Sequence, residues 1–225
     1  MKKNNIEALL FDFDGTIADT SKDMIKSLNI LFNKEGFSAI DEDFGKNFIS
    51  KGAMALIENS LKGYEIDADR KKDLLKQFLD IYKENLFLNT YVYAGLEEVF
   101  DFLNLNSIKW GIVTNKSSYF VNTIIEEIKF KIPPQCVVAG DTLNIKKPSP
   151  KPLLHAAELL SCNPEKCLYI GDDQRDVEAG NAAGMKTIIS SYGFISPSDN
   201  IKTWGANYII EEPIDILKIV SDIND

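Results

Sequence analysis

Four short stretches carry the groups that could do chemistry: Asp12-Phe13-Asp14-Gly15-Thr16, Thr114-Asn115, Lys147, and Gly171-Asp172-Asp173-Gln174-Arg175-Asp176. Brought to one place, three clusters of oxygen donors and one lysine make a site for a hard cation and an anionic oxygen substrate. Carboxylates crowded together repel one another unless a cation lies between them, and magnesium is the natural occupant. Three of the four stretches also have a plain structural reading. Asp14-Gly15 is a turn pair, Thr114-Asn115 can end a strand or cap a helix, and Asp176 suits a helix dipole wherever it opens a helix. Asp173 and Arg175 read as local salt-bridge or rim residues, and His155, the single histidine, as a packing or surface residue.

Whether the stretches meet depends on the elements that carry them. Ala8-Leu9-Leu10-Phe11 is a short, continuous apolar run that enters a glycine turn, as a buried parallel strand does. Apolar β-rich runs at 110–113, 136–139, 167–170, 187–190 and 208–210 alternate with helical patterns at 96–105, 119–128, 152–160 and 176–183. This alternation predicts an α/β fold, a Rossmann-like open parallel sheet covered on both faces. Ligands bind outside the carboxyl ends of such strands, where Asp12, Thr114 and Asp172 fall.

Between 19 and 89 the pattern is helical instead. Met24, Ile25, Leu28, Leu31 and Phe32 recur at helical spacing from an N-cap at Thr20 or Ser21 to a stop at Gly36. Residues 44–61 read as helical with a break at Ser50-Lys51-Gly52-Ala53, and Leu74, Leu75, Phe78, Leu79, Tyr82 and Leu86 form another amphipathic run. The first strand belongs with the later alternation. The expected organisation is therefore an α/β core built from 1–18 and 90–225, with a small all-helical domain inserted at 19–89.

A chain of 225 residues, 44% of them hydrophobic, can bury a substantial core. No apolar stretch approaches the ~20 residues of a membrane helix, and Met1-Lys2-Lys3-Asn4-Asn5 opens no signal-peptide pattern. A cytoplasmic protein without a membrane partner is expected, as a monomer or weak homodimer. The net charge of −9 argues against a nucleic-acid partner, whose backbone is bound by Lys and Arg. Cys136, Cys162 and Cys167 are odd in number and lack paired spacing, so reduced thiols are expected.

The four stretches, in this order, resemble the four motifs of the haloacid dehalogenase superfamily of phosphatases, and the helical insert is similar to that superfamily's small cap domain. The resemblance spans essentially the whole chain. It implies a magnesium-dependent phosphatase acting on a small phosphorylated metabolite, with Asp12 as the nucleophile that becomes phosphorylated. It implies that Asp14 protonates the leaving alcohol and then deprotonates water, its main-chain carbonyl serving as a metal ligand. Thr114 and Asn115 would bind the phosphoryl group, and Lys147 would offset the charge of nucleophile and transferring group. Asp12 and Asp172 would bind magnesium directly, with Asp176 behind them holding a metal-bound water or orienting Lys147. The cap would supply substrate contacts through the 49–53 break, with Lys51 and Gly52 the residues singled out.

Asn144-Ile145-Lys146-Lys147-Pro148-Ser149-Pro150 resembles bacterial phosphoglycolate phosphatases. Trp110 to Lys116, Gly171 to Gly180 and the tail from Tyr192 to Ala206 look like the branch that dephosphorylates N-acetylmuramic acid 6-phosphate in cell-wall sugar recycling. These similarities imply a role in carbohydrate metabolism, with one of those two substrates. A single histidine, and no cysteine followed six residues later by arginine, exclude the histidine- and cysteine-based phosphatase chemistries, and no Walker loop is present. A sugar phosphomutase of the same superfamily would keep both acids and differ in how well it shuts out water. A phospho-aspartate signalling module would also gather acids, a threonine and a lysine, but has no reason to insert some seventy residues after its first acids.

Overall fold

The computed structural model describes residues 6–224; Met1–Asn5, which carry the expectation about a signal peptide, lie outside the described residues. The first half runs β1 (Ala8–Phe11), β2 (Ala18–Asp19), α1 (Ser21–Glu35), α2 (Glu42–Ile49), α3 (Ala53–Ser60), α4 (Ala68–Glu84), β3 (Tyr91–Val92) and α5 (Leu96–Leu105). It continues β4 (Lys109–Val113), α6 (Ser118–Ile128), β5 (Val137–Val138), α7 (Lys151–Leu159), β6 (Cys167–Gly171), α8 (Gln174–Ala182), β7 (Lys186–Ser190), β8 (Tyr208–Ile210) and α9 (Asp215–Asn224).

Six parallel strands form one sheet in the order β5-β4-β1-β6-β7-β8, with β1 between the two strands that carry the other motifs. Every residue of β1 and β6 is buried, which is why these strands are apolar throughout instead of alternating. Leu9 and Phe11 face one way, into a core with Phe100 of α5, Val121 of α6 and Ile216 of α9. Ala8 and Leu10 face the other way, toward Leu153 and Ala156 of α7 and Ala179 of α8. Cys136 and Cys167 are buried and Cys162 is half-buried, all three as free thiols. Burial pushes Cys136 up to about 11 and Cys167 to about 12.

Helices α1–α4 pack around another core, including Leu28, Phe32, Leu56, Leu74 and Phe78, to which Phe120 of α6 and Phe194 also belong. The chain enters and leaves this block side by side, because β2 pairs antiparallel with β3 through Ala18–Val92 and Asp19–Tyr91. Asp23, fully buried on α1, fastens the return crossing. Its carboxylate accepts from the main-chain N–H groups of Leu88, Asn89 and Thr90 at 2.9–3.0 Å, and from Asn89 Nδ2 and Thr90 Oγ1 at 2.8 Å. Two-residue strands are too short to leave a period in the sequence, and neither β2, β3 nor α9 was expected from it. The expected N-cap of α1 falls at one of its two candidate positions, without the side-chain bond of a cap. Thr20 stands at the N-cap but makes no capping bond, because its hydroxyl is drawn to Asp14. Among the described residues no helix is long and apolar enough to cross a membrane.

Candidate active site

Asp12 is the first residue past β1, and its N–H still donates to Ile170 O at 2.8 Å, so the sheet itself aims it. Its Oδ1 accepts from the N–H of Phe13 at 2.8 Å and lies 2.9 Å from Lys147 Nζ. The turn that follows must be glycine. Gly15 sits at φ +78°, and a Cβ there would lie 2.0 Å from Asp172 Oδ2. Asp14 turns away from Asp12's partners: its Oδ1 accepts from Thr20 Oγ1 at 2.6 Å, and Lys116 Nζ reaches its two oxygens at 3.0 and 3.2 Å.

Lys116 is a functional candidate that the sequence reading passed over, although it directly follows Thr114-Asn115 at a strand end. Its side chain is 6% exposed, and Nζ also donates to Tyr82 Oη of α4 at 3.1 Å, so the ammonium ties Asp14 to the helical block. Burial alone would lower its pKa, but the Asp14 carboxylate beside it raises it above the usual lysine range. Thr114, 4% exposed at the end of β4, accepts from the N–H of Lys116 at 3.2 Å, which leaves its own hydroxyl proton for another acceptor. Asn115 grips the main chain of Lys147 in both directions, accepting from its N–H at 3.0 Å and donating to its carbonyl at 3.1 Å. Its side chain thus positions the lysine, and only its main chain remains for a phosphate.

Lys147 is buried and holds three oxygens: Asp12 Oδ1 at 2.9 Å, Asp176 Oδ1 at 2.7 Å and Tyr169 Oη at 2.8 Å. Tyr169, which sequence reasoning took only as strand, donates to Val113 O at 2.8 Å and so fixes the lysine's floor. Asp176 has both oxygens committed, Oδ1 to Lys147 and Oδ2 to the N–H of Asp173 at 3.0 Å, as half of a capping box that opens α8. Its helix-start role and its lysine-orienting role therefore coexist.

Asp12, Asp172 and Asp176 each offer an oxygen within 4.8 Å of the others. Three carboxylates against one lysine would, if all ionised, leave two negative charges unbalanced in a site screened from water, since Lys116 is already matched by Asp14. Asp172 Oδ2 accepts from Phe194 N at 2.7 Å and Ser50 Oγ at 2.8 Å, but its Oδ1 is buried with no partner among the described residues. Desolvation, then the charge of Asp12, holds Asp172 well above the ordinary carboxylate range. Asp176 is raised too, because burial and the Asp12 charge outweigh the help of Lys147. Buried acids that only a cation would let ionise together, and an orphaned buried oxygen, fit a divalent cation held by Asp12 and Asp172.

Above these groups, between the sheet edge and the helical block, lies a cavity of about 370 Å³. Asp12, Asp14, Thr114, Asn115, Lys51 and Gly52 all line it, whereas Lys147, Asp172 and Asp176 stand behind its wall. Gly52 has φ +98° and ψ 164°, a backbone shape open essentially to glycine alone, so the break between α2 and α3 is written into the residue type. Lys51 Nζ lies 3.7 Å from Asp199 and over the Phe48 ring, with the side chain 40% exposed. Arg175 does more than the local salt bridge expected of it. Besides its contact with Asp173 at 2.8 Å, it donates to the carbonyl of Ser50 across the cavity mouth.

The family of haloacid dehalogenase-like hydrolases matches residues 9–190. The chain is 34% identical over 220 residues to the N-acetylmuramic acid 6-phosphate phosphatase of Pseudomonas aeruginosa, covering 98% of this chain and 97% of the relative. It is 32% identical over 206 residues to a phosphoglycolate phosphatase of Xanthomonas campestris, with 92% of each covered. The fold matches a crystal structure described as a predicted phosphoglycolate phosphatase from Haemophilus somnus with a TM-score of 0.86, at 24% identity over 97% of this chain and 99% of that one. The match over most of the chain, with full-length relatives that are phosphatases, shows that the protein belongs to the haloacid dehalogenase-like hydrolases.

Proposed function

We propose that the protein is a magnesium-dependent phosphomonoesterase that works through a phosphoryl group carried on Asp12. The observation that carries this reading is the placement of Asp12. It lines the cavity, its Oδ1 is anchored by Lys147 and the Phe13 N–H, and a buried oxygen of Asp172 with no partner among the described residues lies behind it. Residues 1–18 with 90–225 act as the catalytic core and 19–89 as the cap.

In the first half-reaction a carboxylate oxygen of Asp12 forms a bond to phosphorus while the ester P–O bond breaks, and Asp14, after taking up a proton from solvent as substrate binds beside its Lys116 partner, gives that proton to the leaving alkoxide. In the second, Asp14 takes a proton from water as that water attacks phosphorus, which releases phosphate and restores the Asp12 carboxylate. Asp14 is suited to serving both halves because it stands two residues from the nucleophile and is held aside by Thr20 and Lys116. Thr114 supplies a hydroxyl for a phosphoryl oxygen, and Lys147, behind the cavity wall, supplies a fixed charge that offsets Asp12 and the group it carries. Asp12, Asp172 and the main chain of Asp14 would hold magnesium, which when bound neutralises charge building on the transferring group.

The favoured substrate is N-acetylmuramic acid 6-phosphate. A chamber of about 370 Å³ with Leu75, Leu79 and Phe120 on its walls has room for an acylated sugar and is generous for a two-carbon acid. 2-Phosphoglycolate is the second reading, favoured by relatives of that name. The test is kcat/KM for release of inorganic phosphate from each, with magnesium and with chelator, alongside Asp12→Asn. The expected result is a magnesium-dependent preference for the sugar phosphate and a loss on the order of 10⁴ or more in the variant. Turnover retained by Asp12→Asn would overturn the mechanism, and phosphate moved within the sugar instead of released would mark a mutase.

A further inference from the structure

The loop between α2 and α3 does more than roof the cavity. Ser50 belongs to the helical block, yet its Oγ donates at 2.8 Å to Asp172 Oδ2, a carboxylate 122 positions away at the opposite end of the motif set. The contact is reinforced on both sides. Arg175, two positions after Asp173 on the same helix start, donates to the Ser50 carbonyl, and Lys51 lies 3.7 Å from Asp199. Asp172 is 1% exposed, so each hydrogen bond to it counts in a medium poor in water. Two donors on Oδ2, Ser50 and the N–H of Phe194, fix the plane of the carboxylate and leave Oδ1 without a partner among the described residues.

We infer that Ser50 is a positioning residue supplied by the cap to the cation site: its hydroxyl orients Asp172 so that Oδ1 faces the ion, which couples seating of the 50–52 loop to cation binding. The inference rests on the metal site proposed above. Groups that orient a metal-binding carboxylate typically change affinity by 10–100-fold when removed. Coupling is reciprocal, so the ion must favour the seated loop by the same factor that the seated loop favours the ion.

The test uses the full chain without substrate. Mn²⁺ binding is measured by electron paramagnetic resonance for the wild type, Ser50→Ala and Ser50→Thr, and amide hydrogen exchange at 49–53 is followed with and without Mg²⁺. The expected result is an affinity about tenfold weaker in Ser50→Ala and recovered in Ser50→Thr, which keeps the hydroxyl. Added Mg²⁺ should slow exchange at 49–53 in the wild type and leave it unchanged in Ser50→Ala. Equal affinity for wild type and Ser50→Ala overturns the coupling while the cation site stands. A wild type that binds no Mn²⁺ instead overturns the metal reading itself, and the coupling with it.

Discussion

Replacing Lys147 by Met tests the charge arrangement on which the whole site depends. Lys147 has a 2%-exposed side chain with carboxylates at 2.9 and 2.7 Å and a phenol at 2.8 Å, and methionine keeps most of its volume while deleting the charge. Asp12, Asp172 and Asp176, whose oxygens lie within 4.8 Å of one another, would then face each other with no cation among them. Removing one partner of a buried ion pair costs about 3–5 kcal/mol. In a chain of this length that is a fall of roughly 6–20 °C in Tm at pH 7.5. The assay is thermal unfolding by circular dichroism without added metal. Two changes should restore part of the loss. Mg²⁺ at a hundredfold excess over its Kd returns about 2.7 kcal/mol, and Asp176→Asn in the same chain removes one of the repelling charges, giving a coupling of about 1–3 kcal/mol. An unchanged Tm, or a double variant whose losses simply add, would refute the account of one lysine offsetting three acids.

Buried carboxylates inside the site and outside it set two more measurable effects. Without metal, Asp172 and Asp176 are held above their unfolded-state values by burial and by Asp12, so the folded chain binds more protons than the unfolded one. Stability from these groups is therefore gained as pH falls toward the unfolded carboxylate range and lost as pH rises through the folded values. Tm of the metal-free protein should be higher at pH 5.5 than at 7.5, and Mg²⁺ should stabilise more at 7.5; the opposite order for both would contradict the burial argument. Asp23→Ala removes the acceptor of main-chain and side-chain donors from Leu88, Asn89 and Thr90, and should cost about 3 kcal/mol or more. Hydrogen exchange should accelerate first at 88–90, and an even acceleration across the chain would show that Asp23 is not the fastening of the return crossing.

Residue order alone was enough for the α/β alternation, the helical block after the first strand and the chemical character of the motif stretches. Local physics governs all three: continuous apolar runs such as Ala8–Phe11 suit a doubly covered strand, the 3.6-residue period of Met24, Leu28 and Phe32 suits an amphipathic helix, and Gly36 and Gly52 take backbone shapes that glycine tolerates. Only the tertiary structure decided which groups meet. Lys116 looks like a surface lysine until the turn after β4 brings it to Asp14 and the helical block closes Tyr82 over it. Ser50 is an ordinary loop residue until that loop reaches Asp172 across 122 positions. Thr20 reads as a helix cap but serves a carboxylate, and Asn115 reads as a substrate ligand but its side chain holds a lysine's main chain. Such contacts leave no period or spacing in the sequence, because they arise where the helical block packs against one edge of the sheet.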